Sequence, residues 1–208
     1  MNDAFSNIKT LFRSHVENHS SLAKSTHNER KQKLKRLLKN FMEMENEAIE
    51  ALALDLKKSP TESVISEILG VKTEADFAIK NLTKWMRAKR VSSPVAVFFT
   101  SAWVRPEPKG SVLILSPWNY PILLCLNPLI AAIAAGNTAI IKPSEFTPAS
   151  SAFLKKLIEK TFTENEVAVV VGDQRVATEL LSHPFNHILF TGSPETGKII
   201  MAAAAKHL

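Results

Sequence analysis

The stretch Gly110–Glu145, GSVLILSPWNYPILLCLNPLIAAIAAGNTAIIKPSE, decides the fold. Two short apolar runs, Ser111–Leu115 and Thr138–Lys142, bracket a longer apolar segment, Ile122–Ala135, that exceeds the usual length of a strand. Gly136-Asn137 then marks a helix stop. The short runs are apolar throughout instead of alternating, as in strands covered on both faces, the signature of a parallel sheet. The apolar region Ile122–Ile141 is interrupted by Asn127, Pro128, Gly136, Asn137 and Thr138, so it reads as helix, turn and strand and not as a membrane span.

Downstream the same grammar repeats. Strand-like runs at 167–171 and 187–190 join those at 111–115 and 138–142, and helix-like stretches follow at 148–162, 174–181 and 194–206. Four successive β-α units predict an α/β fold, with a Rossmann-like parallel sheet over residues 110–208. Upstream, helical periodicity dominates at roughly 3–19, 28–57 and 61–89, with Ser59-Pro60-Thr61-Glu62 as a stop and restart. Residues 93–109 contain VAVFFT and AWVRPE, short β-rich runs expected to form a ribbon or linker, with Pro106 and Pro108 keeping the ends out of a sheet interior. The chain therefore divides into a helical segment (1–92), the ribbon with possible oligomerisation strands (93–109) and the sheet domain (110–208).

Composition narrows the function classes. Of the 208 residues 45% are apolar and 22% charged, ordinary for a globular protein. The net charge of +6 lies wholly in residues 1–109, which carry 19 Lys/Arg against 13 Asp/Glu. Most of the excess is in Arg30–Lys39 and around Lys80–Arg90, where no recognition motif or aromatic platform accompanies it. A solvated helix face accounts for it, with Leu34, Leu37, Leu38, Phe41, Ala48 and Leu52 on the opposite, buried face. No nucleic-acid partner is expected. The single cysteine, Cys125, excludes an internal disulfide and a thiolate cluster and fits a cytoplasmic protein. His183 and His187 are separated by Pro184 and lack a completing carboxylate, so no metal site is expected.

In a parallel sheet, ligands gather outside the carboxyl ends of the strands. Three turns leave that edge. The first, SPWNYP (Ser116–Pro121), holds Asn119 between two prolines, either as a rigid amide donor to a developing oxyanion or as an ordinary turn residue. In the second, IKPSE, Lys142 and Glu145 either grip a ribose, with the carboxylate favouring NAD over NADP, or charge a helix N-terminus. The third, FTGSPETGKI (Phe190–Ile199), is one residue short of a triphosphate-binding loop. Ile199 stands where Ser or Thr would hold Mg²⁺, and Pro194 removes a backbone donor. A P-loop-like nucleotide binder is thus a distant alternative. Gly192 and Ser193 leading into a helix suit a dinucleotide phosphate better.

SPWNYP, LIAAIAAGNTAIIKPSE and FTGSPETGKIIMAAAAKHL, in this order and spacing, resemble the aldehyde dehydrogenase superfamily, and most closely its class 3, fatty-aldehyde branch. The resemblance is specific over Gly110–Leu208 and diffuse before it. It implies NAD(P)-dependent oxidation of an aldehyde to a carboxylate through a thiohemiacetal and a thioester. By motif match, Asn119 is the catalytic oxyanion-hole donor, and Lys142 and Glu145 hold the adenosine ribose. Thr191, Gly192, Ser193 and Gly197 form the phosphate turn, and Ser116, Pro117 and Trp118 line the cofactor cleft. Gly172 is expected near the adenine and Tyr120 facing the aldehyde. The implied cofactor is NAD, with NADP possible, and the implied partners are a medium- or long-chain aliphatic aldehyde and further copies of the chain. The family's nucleophilic cysteine and general-base glutamate have no counterparts in this span. Cys125, flanked by apolar residues in PILLCLNP, reads as a small core residue. The chain is therefore expected to be inactive alone. The alternative is a truncated, non-catalytic interaction fragment.

Overall fold

A computed structural model describes residues 2–207, with side chains over 7–207. In chain order the helical layer comprises α1 (Asn2–Ala23), α2 (His27–Glu43), α3 (Glu45–Leu56), α4 (Pro60–Ser63) and α5 (Leu69–Trp85), with a π-helical turn, Val64–Ile68, between the last two. A two-stranded ribbon, β1 (Lys89–Val91) and β2 (Ala102–Val104), follows. The α/β part is β3 (Ser111–Leu115), α6 (Leu123–Ala135), β4 (Thr138–Lys142), α7 (Pro148–Thr161), β5 (Val167–Val169), α8 (Gln174–Leu181), β6 (His187–Phe190) and α9 (Pro194–Ala204).

Strands β3 to β6 form one parallel sheet in the order β5-β4-β3-β6. Every residue of β3 and β4 is buried, as their apolar centres require, with Ser111, Thr138 and Lys142 buried at the strand ends. On one face Val112, Ile114, Ala139 and Ile141 join Phe41, Leu52, Leu82, Leu126 and Leu154 of the surrounding helices. On the other, Leu113, Leu115 and Ile140 meet Ile8 of α1, Leu180 and Leu181 of α8 and Ile200 of α9. The N-terminal helices thus share both cores with the sheet. Full burial of each large aliphatic side chain stabilises by about 1.5–3 kcal/mol before entropy is counted.

Helix α6 is fixed at its far end by glycine and arginine together. Gly136 ends it at φ 85°, in the left-handed region that disfavours a side chain. A Cβ there would lie 2.3 Å from the Arg30 guanidinium carbon. Buried Arg30 donates from Nη1 to the Ala134 carbonyl at 3.2 Å, a cation on the helix's negative end.

Three local expectations are corrected. Residues 28–57 are two helices, broken at Met44 (φ −104°, ψ 18°), where no glycine or proline signals it. The run VAVFFT is not a strand: Val95–Val97 is a 3₁₀ turn closed by Val97 N–H donating to the Pro94 carbonyl. The ribbon instead pairs Lys89–Val91, which begins at the expected end of the last upstream helix and precedes the expected ribbon, antiparallel with Ala102–Val104. Its members are exposed or half-buried, so charge was no obstacle and apolarity no guide. Among the described residues no helix is long and apolar enough to cross a membrane.

His15 of α1 is buried with its Nε2 donating to the Glu164 carbonyl at 2.7 Å, leaving Nδ1 without a partner. Burial lowers its pKa to about 4 against the Glu164 hydrogen bond. The unfolded chain takes up this proton near pH 6.5, so stability present above that pH is lost as pH falls toward 4. The full effect is on the order of 3 kcal/mol. Urea unfolding at pH 7 and pH 5 is expected to show a marked loss for the wild-type chain and a clearly smaller loss for His15→Gln.

Candidate functional site

The register brings the three turns together. Leu115 lies opposite Lys142 on one side and Phe190 on the other, so Ser116, Pro143 and Thr191 leave the sheet in one row. Two backbone bonds continue the ladder past the strand ends: Ser116 N–H donates to the Lys142 carbonyl and Thr191 N–H to the Leu115 carbonyl. Convergence of the turns is therefore a consequence of parallel pairing.

Ser116 also repairs a defect in α6. Pro128 inside that helix has no N–H for the Leu124 carbonyl, and the Ser116 hydroxyl donates to that oxygen at 2.8 Å. This bond commits the hydroxyl of Ser116 to holding turn and helix together. Pro117 and Pro121 stiffen the turn between them, and Trp118, Asn119 and Tyr120 are exposed. Among the described residues the exposed Asn119 side-chain amide has no hydrogen-bond partner.

Beneath Asn119 lies a group that sequence reading missed. Lys58 and Glu67 form a buried ion pair at 2.6 Å. The Lys58 ammonium also donates to the Asn119 carbonyl at 3.1 Å and lies 4.3 Å from the centre of the Tyr120 ring. Glu67 Oε2 accepts from Ile122 N–H (2.9 Å) and Leu123 N–H (3.1 Å), at the start of α6. Charge-assisted bonds of this kind contribute roughly 1.5–3 kcal/mol each, enough to offset much of the cost of burying the carboxylate. The nine-residue separation follows no helical contact rule, so nothing in the sequence announced the pair.

In the second turn Lys142 is buried and donates to Glu145 Oε2 at 2.7 Å, leaving the carboxylate partly exposed. Partial burial pushes the Glu145 pKa up and Asp173 adds to that push. The Lys142 hydrogen bond and charge, with a backbone N–H, outweigh both and hold it below the ordinary carboxylate value. The helix-charging alternative is not what Glu145 does, because α7 receives its N-terminal carboxylate from Asp55. Ala149 N–H donates to Asp55 Oδ1 at 3.1 Å and Ser150 N–H to Oδ2 at 2.7 Å.

The third turn is shaped by Phe190. A Cβ on Gly192 would lie 2.3 Å from its ring, so glycine is needed for close approach and not for backbone sign. Gly197 sits in ordinary contact with the same ring. Ser193 caps α9, its hydroxyl accepting from Thr196 N–H at 3.3 Å. Comparison of the four helices that follow the strands is instructive. Carboxylates already occupy the starts of α6 (Glu67), α7 (Asp55) and α8 (Asp173, accepting from Arg175 and Val176). Only α9 has its first N–H groups capped by a neutral side chain, and its first turn, which carries Glu195, is exposed.

Cys125 is fully buried, and burial lifts its thiol to about 12, with Glu67 adding to the rise and Ser116 opposing it. No group of three or more potential metal ligands exists among the described residues. Gly172, in the turn after β5, is lodged against Val176 of α8.

The aldehyde dehydrogenase family profile matches residues 5–208. The chain is 44% identical over 201 residues to a putative aldehyde dehydrogenase, AldX, of Bacillus subtilis, covering 97% of this chain and 45% of that protein. It is 48% identical over 159 residues to aldehyde dehydrogenase family 3 member B1 of Rattus norvegicus, covering 76% and 34%. A structure described as the substrate-bound state of Staphylococcus aureus AldH superposes with a TM-score of 0.93 at 38% identity, covering 96% of this chain and 44% of that one. The chain thus spans less than half the length of these relatives. With turns, sheet and profile in agreement from residue 5 onward, the chain belongs to the aldehyde dehydrogenase family and is similar to its class 3 members.

Proposed function

We propose that this chain provides the NAD-binding part and the oxyanion donor of an NAD(P)-dependent aldehyde oxidation, in which aldehyde, water and NAD⁺ give carboxylate, NADH and protons. The observation that carries this reading is the row of three turns in which, among the described residues, α9 alone is capped by a neutral side chain, with no carboxylate accepting from its first N–H groups although Glu195 lies in that turn. A pyrophosphate there would meet backbone donors and the positive end of the helix dipole. The acidic caps of α6, α7 and α8 would repel it. Thr191, Gly192, Ser193 and Gly197 would supply that turn.

Lys142 and Glu145 would hold the adenosine ribose: the carboxylate stays charged at neutral pH and accepts from the hydroxyls. The same charge would repel a ribose 2′-phosphate, so NAD is the preferred form. Ser116, Pro117 and Trp118 would flank the cofactor, with Gly172 toward the adenine. NAD, when bound, supplies a hydride acceptor. Asn119 would donate its amide to the aldehyde oxygen as negative charge builds there, and Tyr120 beside it would face the substrate. A medium- or long-chain aliphatic aldehyde is the proposed substrate class, on the strength of class 3 similarity.

Titration with NADH, read by energy transfer from tryptophan, is expected to saturate and to lose most of its amplitude in Trp118→Phe. Glu145→Ala should weaken binding about tenfold, the value of one charge-assisted interaction. NADPH should bind more weakly than NADH, and Glu145→Gln should narrow that gap. Absence of transfer in a chain that circular dichroism shows to be folded would sink the cofactor assignment.

The buried thiol of Cys125 cannot serve as nucleophile, since almost none of it is thiolate at neutral pH. The purified chain is expected to form no NADH from aldehyde, and Cys125 to resist iodoacetamide until denaturant is added, as mass spectrometry would show. Aldehyde-dependent NADH formation by the chain alone would overturn this assignment.

A second reading, self-association through the ribbon, is favoured by its exposed apolar residues. Val95 is 89% and Phe99 99% exposed, with Phe98, Trp103 and Val104 beside them. Concentration-dependent sedimentation is expected, reduced in Phe98→Ser/Phe99→Ser. A single monomeric species at all concentrations would refute it.

A further inference from the structure

We infer that Lys58 and Glu67 are a positioning pair for Asn119, fixing the backbone from which its side-chain amide is aimed. The inference rests on the proposed role of Asn119 and deepens it. Among the described residues the Lys58 ammonium is the sole hydrogen-bond partner of Asn119, through the Asn119 carbonyl. With its side chain otherwise unpartnered, the direction of the amide is governed by that peptide and two side-chain torsions. One bond from a buried ammonium therefore fixes the peptide from which the donor is aimed.

The ammonium itself is held on three sides. Glu67 neutralises it, the Asn119 carbonyl accepts from it and the Tyr120 ring faces it. Glu67 in turn is anchored by two backbone N–H groups of α6, so the pair ties the helical layer, the start of α6 and the turn into one unit. Both partners depend on unusual backbone. Lys58 follows Lys57, the only non-glycine residue with positive φ (58°) among those described. Glu67 lies in the π-helical turn Val64–Ile68, a widening often found at functional sites.

Stability alone does not account for this arrangement. A buried ion pair can usually be replaced by apolar side chains of similar size without loss, because burying the charges costs about as much as their attraction returns. What apolar residues could not do is accept from Ile122 and Leu123 N–H, the task of Glu67, or grip the Asn119 carbonyl, the task of Lys58. Capping α6 accounts for the carboxylate, and the carbonyl-directed bond is what Lys58 adds to neutralising it.

The test reads Asn119 directly. In a ¹⁵N–¹H correlation spectrum of the chain, the Asn119 side-chain amide is assigned by its disappearance in Asn119→Ala, and the Trp118 indole by Trp118→Phe. Lys58→Met is expected to shift both signals, and Glu67→Gln to shift them in the same direction by less. Lys58→Arg should return them toward the wild-type positions. Lys33→Met, which breaks the remote Lys33–Glu166 pair, should leave both signals in place while lowering the melting temperature. If Lys58→Met does not fold, Glu67→Gln and Lys58→Arg decide the matter. Wild-type Asn119 and Trp118 signals in the folded variants would overturn the inference. No readout needs cofactor, so a failed NADH titration would refute the proposed function without disguising the result here.

Discussion

Helix α6 is held between buried charges of opposite sign, both supplied by the N-terminal layer. Glu67 closes its positive end through two backbone N–H groups, and Arg30 closes its negative end through the Ala134 carbonyl. Each charge complements the helix dipole, and each is itself buried or nearly so. The helix has no cap of its own at its start and contains a proline, so these external contacts replace what its sequence lacks. Everything at the candidate site depends on this clamp, because the first turn is the entry to α6. Ser116, Lys58 and Glu67 make turn, helix and outer layer move as one body.

The same economy settles where an anion can go. Parallel strands deliver four helix starts to one edge of the sheet, and each is a site for negative charge in principle. Asp55 and Glu67, residues outside the α/β part, close two of them, and Asp173 closes a third. The helical layer therefore does more than cover a face of the sheet. By filling some N-termini with carboxylates it leaves α9 distinct, and the glycine turn ahead of α9 becomes the place where phosphate chemistry fits.

Legibility in the sequence followed burial. Residues 111–115 and 138–142 are buried on both faces, so their central positions, 112–115 and 139–141, are apolar and the strands could be read directly. The ribbon could not. Lys89–Val91 is exposed and charged, and pairs only with Ala102–Val104, so local pattern gave no sign of a strand there. Val95–Val97 has high strand propensity but no partner beside it, and a 3₁₀ turn resulted. The break at Met44 left no mark, since helical periodicity resumes at Glu45.

Asn119, Glu145 and Gly192 stood out because each sits in a turn just after an apolar run, a position defined by local order. Asp55, Lys58 and Glu67 did not, because their partners lie between 9 and 95 residues away. The amino-acid sequence by itself determined the succession of strands and helices over residues 110–208, the glycine and proline punctuation and the buried fate of Cys125, all of which follow from short-range periodicity and solvent exclusion. Only the tertiary structure decided which helix starts are occupied, what holds the Asn119 peptide and which carboxylate remains open. Those outcomes depend on charges meeting across elements, and their energies exist only once water has been excluded from between them.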